Sequence, residues 1–189
     1  IDKKHYSLIF QVNKLVYDIG AAKNVYNDGN MEFVEFKENS GVESINSLND
    51  YLNFADFMLQ SAIKNGAIGL KNSMAYGRSI DYEKISIEMA TSLFDKSQQL
   101  NADEVKALQD FMFHWFLDKA AEYELPVQIH TGYLAGNGNQ LDNGKPIKLN
   151  NLFLQHRNTK FDLFHGGFPW TGEWVALGKM FPNVYLNLV

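Results

Sequence analysis

Apolar and polar residues follow a regular order from residue 47 to the end of the chain. Short apolar runs typical of buried strands lie at 66–71, 125–130, 161–165 and 183–188. Between them, apolar residues recur at the three- to four-residue spacing of amphipathic helices, over 81–99, from 101 onward, over 146–156 and over 171–181. This strand–helix alternation predicts right-handed βαβ units and a parallel sheet.

Two predicted helices begin with a sequence typical of a capping box. These are Ser47-Leu-Asn-Asp50 and Asn101-Ala-Asp-Glu104. The first helix is expected to end near Asn65-Gly66, because glycine is favoured just past a helix end. This helix therefore precedes the predicted strand at 66–71.

The first 46 residues are less regular. Residues 8–17 alternate in part and fit either a strand or a short helix. Residues 18–46 are rich in Asn, Gly, Glu and Asp and are predicted to form an irregular or inserted segment. Their apolar patch at 31–36 could pack on a partner copy or on the same chain, so a homo-oligomer is left open. We divide the chain into an N-terminal segment, 1–46, and an α/β domain, 47–189.

The predicted order of elements fits two architectures, an open doubly wound sheet or part of a (β/α)8 TIM barrel. A complete barrel usually needs about 250 residues. The chain has 189 residues, and the four predicted strands would be roughly half of a barrel. It starts without Met and stops directly after the strand-like run 183–188, so we expect a piece of a longer polypeptide.

Composition excludes several classes of function. The net charge is −5 and there is no dense basic block, which argues against nucleic-acid binding. The absence of cysteine excludes disulfides, thiolate zinc sites and cysteine nucleophiles. No apolar run approaches the roughly 20 residues that span a bilayer, and no signal-peptide pattern opens the sequence. The expectation is a cytoplasmic protein that acts on a small molecule, without a membrane partner.

Two histidines end successive predicted strands. His130 closes 125–130, His165 closes 161–165, and a Gly-containing turn follows each. Because parallel strands bring their carboxyl ends to one rim, the two imidazoles should lie side by side, where (β/α)8 barrels place their active sites. Two neutral imidazoles aimed at one point are a plausible beginning of a metal site.

Other candidates lie near the same rim. Lys71 ends the strand 66–71 and could be a solvated charge, a desolvated base, a Schiff-base amine or a carbamylated metal bridge. Tyr76 and Arg78 follow it in a loop, where an arginine suits a substrate carboxylate. Gln128 shares the face of His130 and is a further substrate-binding candidate. Four other residues are expected to be structural or solvated: Asp162, His114, His156 and His5.

The segments LPVQIHTG at 125–132, FDLFHGGFPW at 161–170 and FPNVYLNL at 181–188 resemble the amidohydrolase superfamily, in its TIM-barrel metal-dependent hydrolase branch. The resemblance extends over roughly residues 65–188. It implies that the four strands are strands four to seven of a (β/α)8 barrel. It also implies that His130 binds the metal, that His165 binds it or orients the attacking water, and that Lys71 falls where some members carry a carbamylated lysine.

The sequence departs from the family pattern at both ends. Members carry a His-x-His pair on the first strand and an Asp on the eighth, usually the general base, and neither is present. A fragment or an inactive homologue would explain this. The leading hypothesis is a hydrolase that uses a divalent metal ion, with zinc preferred, on a lactone, amide or similar small carbonyl compound. The alternatives are a metal-dependent decarboxylase and an inactive barrel that serves as a binding module.

Overall fold

The computed structural model describes residues 7–96 and 99–189, so His5 lies outside the described residues. These residues form two compact units. The sheet unit contains the described residues up to Asn13 together with Ile68–Glu83 and His114–Val189. The helical unit contains Lys14–Ala67 and the described part of Lys84–Phe113. The predicted division of the chain at residue 47 stays a prediction.

Five strands and eight α-helices are present in the described residues. The strands are β1 (Leu8–Gln11), β2 (Ala67–Asn72), β3 (Val127–His130), β4 (Phe161–Phe164) and β5 (Val184–Leu186). The helices are α1 (Asn13–Asp18), α2 (Ala22–Val25), α3 (Met31–Ser40), α4 (Leu48–Lys64), α5 (Ile87–Lys96), α6 (Ala102–Glu122), α7 (Asn150–Gln155) and α8 (Thr171–Met180). None of the helices in the described residues is both long and apolar enough to cross a membrane.

The five strands form one sheet in the sequential order β1-β2-β3-β4-β5. The pairs β2–β3, β3–β4 and β4–β5 are parallel. A doubly wound sheet reverses its strand order at a switch point, whereas a barrel adds each strand next to the preceding one. The sequential order therefore confirms the predicted parallel α/β fold and decides between the two architectures: the chain forms a partial set of the βα units of a TIM barrel.

The two faces of the sheet differ in polarity. Val127, Ile129, Phe161 and Leu163 are fully buried on one face. Phe153 of α7 packs on Phe161, with 4.9 Å between the ring centroids. The opposite face, which carries His130, corresponds to the interior of a barrel, because side chains alternate along a strand.

Aromatic rings form the core of the helical unit. The Tyr26 and Phe54 rings lie 4.6 Å apart, and Phe36 meets Phe54 at 5.4 Å. Phe33 and Phe36 of α3 are both buried. Within the apolar patch at 31–36, Phe33 and Phe36 therefore pack on their own chain, whereas Met31 is exposed. A homo-oligomer stays a prediction.

The prediction that residues 18–46 are irregular is wrong, because Met31–Ser40 forms helix α3. That the segment is an insertion stays a prediction. The Asn30 side chain accepts a hydrogen bond from the Phe33 amide and caps the first turn. Gly41 ends the helix with φ of 72° and donates its N–H to the Lys37 carbonyl. The available signals were Asn30 before the apolar patch and Gly41 after it. The polar composition of residues 18–46 as a whole concealed them.

The predicted helix 81–99 is wrong at its start, since α5 begins at Ile87. The Ser86 hydroxyl accepts a hydrogen bond from the Met89 amide and caps the helix there. Residues 81–86 are not helical because they continue the loop after β2, where the Tyr82 hydroxyl contacts the buried side chain of Asn72. The start of this helix depends on a contact distant in sequence.

Both predicted capping boxes are confirmed. Ser47 and Asp50 exchange side-chain-to-backbone hydrogen bonds at the start of α4. Asn101 and Glu104 do the same at the start of α6. Residues 8–17, left open between strand and helix, contain both β1 and the beginning of α1.

Candidate metal centre

His130 and His165 lie side by side, as the strand pattern predicts. In the parallel register His130 pairs with Phe164, so the carboxyl ends of β3 and β4 lie at the same level. His165 directly follows β4 and its ring centroid is 4.4 Å from that of His130, at an interplanar angle of 58°. Two imidazoles from separate strands thus meet at the rim where a barrel carries its active site.

The environment of His130 keeps its imidazole neutral and leaves one nitrogen lone pair available. The ring is buried, and its Nε2 lies 3.1 Å from the Tyr133 carbonyl oxygen. A carbonyl only accepts hydrogen bonds, so Nε2 donates and Nδ1 keeps its lone pair. Burial lowers the pKa of His130 to about 4; the hydrogen bond to Tyr133 opposes part of that shift, and the Lys71 charge adds a smaller lowering. Neutral imidazole is the form that binds metal ions.

The backbone after His165 takes an unusual conformation. His165 has φ of 73°, and Gly166 and Gly167 follow at 64° and 62°. A positive φ is uncommon for a non-glycine residue and occurs at functional sites, where the surrounding structure stabilises it. The two glycines after His165 are explained by this turn, since they adopt positive φ without a steric penalty.

Two contacts fasten the loop after β3 to the loop after β4. The Thr131 hydroxyl donates to the Phe164 carbonyl at 2.7 Å. A Cβ added at Gly132 would lie 2.8 Å from backbone atoms of Gly167 and Phe168. Glycine is therefore required at 132 for the loops to approach, and their contact holds the two histidine-bearing turns together.

Lys71 reaches the interior face of the sheet below the histidines. In the register it lies in one row with Gln128, Asp162 and Tyr185. Its Nζ lies 3.5 Å from the centroid of the Phe164 ring. Within the described residues this buried amine has no hydrogen-bond partner. Burial lowers the pKa of Lys71 to about 8, and the negative charge of Asp162 opposes part of that shift.

Asp162 organises a polar layer in the same row. Its Oδ2 accepts hydrogen bonds from the side-chain amides of Gln128 and Asn187, both at 3.2 Å. Sequence reasoning treated Asp162 as structural and did not single out Asn187. The available signal was an acidic residue inside an apolar strand, which needs polar partners when buried. Gln128, predicted to bind substrate, donates to this carboxylate, and its role toward a substrate stays a prediction.

Tyr76 lies at the histidine pair, whereas Arg78 binds its own loop. The Tyr76 ring meets the His130 ring edge-on, with 4.9 Å between centroids. The Arg78 guanidinium donates to the carbonyls of Ser79 and Asp81 and lies 5.0 Å from the Tyr82 ring centroid. These bonds hold the loop after β2, and a contact between Arg78 and substrate stays a prediction.

Sequence reasoning missed two further aromatic residues at the site. Tyr133 lies 6.5 Å from His165 and 6.3 Å from Phe168, measured between ring centroids. Tyr133 follows His130 by three residues, and Phe168 follows His165 by three residues. That shared offset was the available signal.

His114 and His156, expected to be structural, lie away from this site and contact each other. His114 Nδ1 and His156 Nε2 are 2.7 Å apart and both side chains are buried. Asp118 approaches the other ring nitrogen of His156 at 3.0 Å.

The imidazole donors of His130 and His165 suit a divalent metal ion chemically, but they are too few to hold one alone. Imidazole nitrogen is a favoured ligand of Zn²⁺. The buried Lys71 amine has no hydrogen-bond partner among the described residues, so the polar interior is incompletely satisfied there. A catalytic zinc site uses three protein ligands. No group of three or more His, Asp or Glu side chains that could hold a metal occurs in the part of the chain that the model describes. Among the described residues, the pair His130 and His165 could therefore supply two of the three protein ligands that such a site uses.

Comparison with known families supports the resemblance seen in the motifs. The amidohydrolase family model matches residues 112–188, which include both histidines. Protein fluG of Emericella nidulans is 26% identical over 149 residues, a match that covers 72% of this chain and 17% of that protein. The chain therefore spans less than a fifth of this relative.

Solved structures share the fold at low sequence identity. A protein from Lactobacillus casei ATCC 334, an inferred metal-dependent hydrolase, superposes with a TM-score of 0.68 at 19% identity, over 95% of this chain and 43% of that protein. Glucuronate isomerase from Caulobacter crescentus gives 0.65 at 17% identity, over 96% and 40%. Uronate isomerase from Thermotoga maritima gives 0.63 at 19% identity, over 87% and 40%. The chain spans less than half of each of these proteins.

Proposed function

We propose that this chain, whose residues 112–188 carry the amidohydrolase pattern, belongs to an enzyme that uses a divalent metal ion, zinc in our proposal, to hydrolyse a small carbonyl compound such as a lactone or an amide. The carrying observation is the pair of imidazoles 4.4 Å apart at the carboxyl ends of β3 and β4. The amidohydrolase match and the inferred metal-dependent hydrolase among the structural neighbours support the proposal.

In this proposal His130 and His165 supply nitrogen ligands. His130 is suited to the role because its Nε2–H is fixed by the Tyr133 carbonyl, which leaves Nδ1 for the ion. His165 either binds the ion or accepts a hydrogen bond from the attacking water. A zinc ion held there would lower the pKa of a bound water and polarise a carbonyl. Further ligands are required, and we place them outside the residues described here.

Lys71 would act beside the ion through its amine. With a pKa of about 8, it is mostly protonated at pH 7 and can donate hydrogen bonds to a carbonyl or carboxylate oxygen of the substrate. Above that pH it becomes a neutral amine that can accept a proton. Its lack of a hydrogen-bond partner within the described residues leaves its donors for a ligand.

The test is the metal content of the full chain and of its His130→Ala variant. The variant should lose most of the bound metal measured by elemental analysis after zinc loading and desalting. His114→Gln is the matched control, because it removes a buried histidine of the sheet unit that lies away from the site. Far-UV circular dichroism verifies that both variants fold. Equal metal content in His130→Ala and the wild type would refute the metal role.

A non-enzymatic binding module is the second candidate. The observation that favours it is the missing third donor among the described residues. Zinc titration followed by thermal melting separates the two, because a ligand that binds only the folded state raises the melting temperature with concentration. A flat response would favour the binding module. For an active enzyme, release of carbon dioxide would point to a decarboxylase instead of a hydrolase.

A further inference from the structure

Three exposed aromatic residues surround the histidine pair. Tyr76 follows β2, Tyr133 follows β3 and Phe168 follows β4, so three successive loops each contribute one ring. The three residues are 44%, 56% and 61% exposed, respectively. Exposed aromatic surface that gathers in one place marks a binding site more often than a random surface does.

The rings and the imidazoles form a continuous chain of contacts, which we name the aromatic mouth (Tyr76, Tyr133 and Phe168). Tyr76 contacts His130 at 4.9 Å, and His130 contacts His165 at 4.4 Å. Tyr133 then connects His165 to Phe168 through centroid distances of 6.5 and 6.3 Å. A ligand held by the aromatic mouth would place its reacting group next to the imidazoles.

Hydrogen bonds hold Tyr76 and the loops after β2 and β3 in position. The Tyr76 hydroxyl accepts a hydrogen bond from the Ala135 amide at 3.2 Å, which ties the loop after β2 to the loop after β3. The Asn143 side chain donates to the Ala75 carbonyl, and the Gly132 amide donates to the Gly144 carbonyl. The Tyr76 ring is thus fixed before binding, and a fixed ring loses little conformational entropy when a ligand arrives.

The two nearby cationic side chains, Arg78 and Lys71, do not belong to the exposed aromatic surface. The guanidinium of Arg78 binds carbonyls of its own loop. Lys71 is buried against Phe164, on the interior face below the histidines. A polar reacting group therefore fits near Lys71 and the imidazoles, and an uncharged planar group fits the aromatic mouth.

We propose that the substrate carries an aromatic or otherwise unsaturated planar ring, and that Tyr76, Tyr133 and Phe168 bind this ring while its carbonyl group faces His130 and His165. This inference rests on the proposed function for the identity of the reacting group. Ring–ring contacts supply a preference beyond that of buried area alone, because aromatic pairs have favourable edge-to-face and offset geometries.

The experiment measures binding of three carboxylates to the full chain by saturation-transfer NMR and calorimetry, with and without zinc. Benzoate carries a planar ring, cyclohexanecarboxylate has similar bulk without one, and acetate has the carboxylate alone. Benzoate should bind about three- to tenfold more tightly than cyclohexanecarboxylate, the range expected of one aromatic contact. Acetate should bind more weakly than both.

Variants of Phe168 assign the preference to the aromatic mouth. Phe168→Leu keeps an apolar side chain and should remove most of the preference for benzoate, whereas Phe168→Tyr should retain it. Tyr17→Ala, which removes an exposed ring from the helical unit, should leave it unchanged. Thermal melting verifies that each variant is folded.

Equal affinity for benzoate and cyclohexanecarboxylate, an unchanged preference in Phe168→Leu, or no binding of benzoate would each overturn the inference. The metal content of His130→Ala reports on the proposed function separately. If His130→Ala holds as much metal as the wild type, or if neither binds metal, while Phe168→Leu still loses the benzoate preference, the aromatic mouth stands and the hydrolase proposal fails. If the wild type binds metal, His130→Ala loses it and the preference for benzoate is absent, the proposed metal role stands and the aromatic mouth fails.

Discussion

Gly132→Ala is expected to separate the two histidine-bearing loops. Gly132 has φ of 79°, and an added Cβ would lie 2.8 Å from the carbonyl carbon of Gly167 and from the nitrogen and oxygen of Phe168. All three atoms are backbone, so no side-chain rotation relieves the contact. The loops must move apart by roughly 0.6 Å to reach the 3.4 Å at which ordinary contacts begin.

Two effects set the size of the destabilisation. A left-handed conformation costs a non-glycine residue about 1–2 kcal/mol. Forcing apart packed atoms typically costs a further 1–3 kcal/mol, approximately. We therefore expect the free energy of unfolding to fall by about 2–5 kcal/mol. Because the contact lies two residues from each histidine, metal affinity should also fall, by about tenfold.

Gly138→Ala is the matched control. Gly138 lies in the same loop after β3 with φ of 82°, and a Cβ there would meet no atom within 4 Å. It therefore carries the conformational cost of about 1–2 kcal/mol without the steric one. The difference between the two variants isolates the contact between the loops.

Urea denaturation followed by tryptophan fluorescence measures both variants. All three tryptophans, Trp115, Trp170 and Trp174, belong to the sheet unit, so the signal reports on that unit alone. The midpoint shift at constant slope gives the change in free energy. Equal stability of Gly132→Ala and Gly138→Ala would refute the close approach of the two loops.

Two further variants test the buried amine and a helix cap. Lys71→Met should raise the urea midpoint at pH 7, because it removes a buried amine whose Nζ finds no hydrogen-bond partner in the described residues. The pKa of Lys71 is about 8 in the folded chain and 10.5 normally, so the free-energy cost of burying its charge is complete below pH 8 and disappears as the pH rises toward 10.5. The gain in stability from Lys71→Met should therefore shrink over that interval. A gain that does not depend on pH would contradict the lowered pKa of Lys71. Ser47→Ala should destabilise the helical unit by about 1 kcal/mol, because the Asp50 amide loses its capping partner. Far-UV circular dichroism during urea unfolding measures this loss, and an unchanged midpoint would contradict a stabilising role of the cap.

The sequence was informative where a local rule acts on few residues. The strands β3 and β4, the capping residues Ser47 and Asn101, and the position of His130 and His165 at one rim all follow from periodicity and from the geometry of parallel strands. These rules depend on neighbours within a few positions. They also hold in any α/β protein, so they predict the rim without identifying the reaction.

The start of α5 and the role of Arg78 could not be predicted in this way. Ile87 begins the helix because residues 81–86 are part of the loop after β2, in which Tyr82 contacts Asn72. Arg78 is the type of residue that binds a carboxylate, yet it donates to the carbonyls of Ser79 and Asp81. A guanidinium binds whichever acceptors the fold brings near, and local sequence does not specify them.

By itself, the sequence determined the alternation of strands and helices, the strand-ending histidines and the absence of cysteine chemistry. Only the tertiary structure decided the sequential strand order, the row that joins Lys71 to Gln128 and Asp162, and the convergence of Tyr76, Tyr133 and Phe168. The physical reason is the range of the interactions. Hydrophobic periodicity and capping act along the chain, whereas register, desolvation of an amine and contacts between loops arise only when distant segments are packed together.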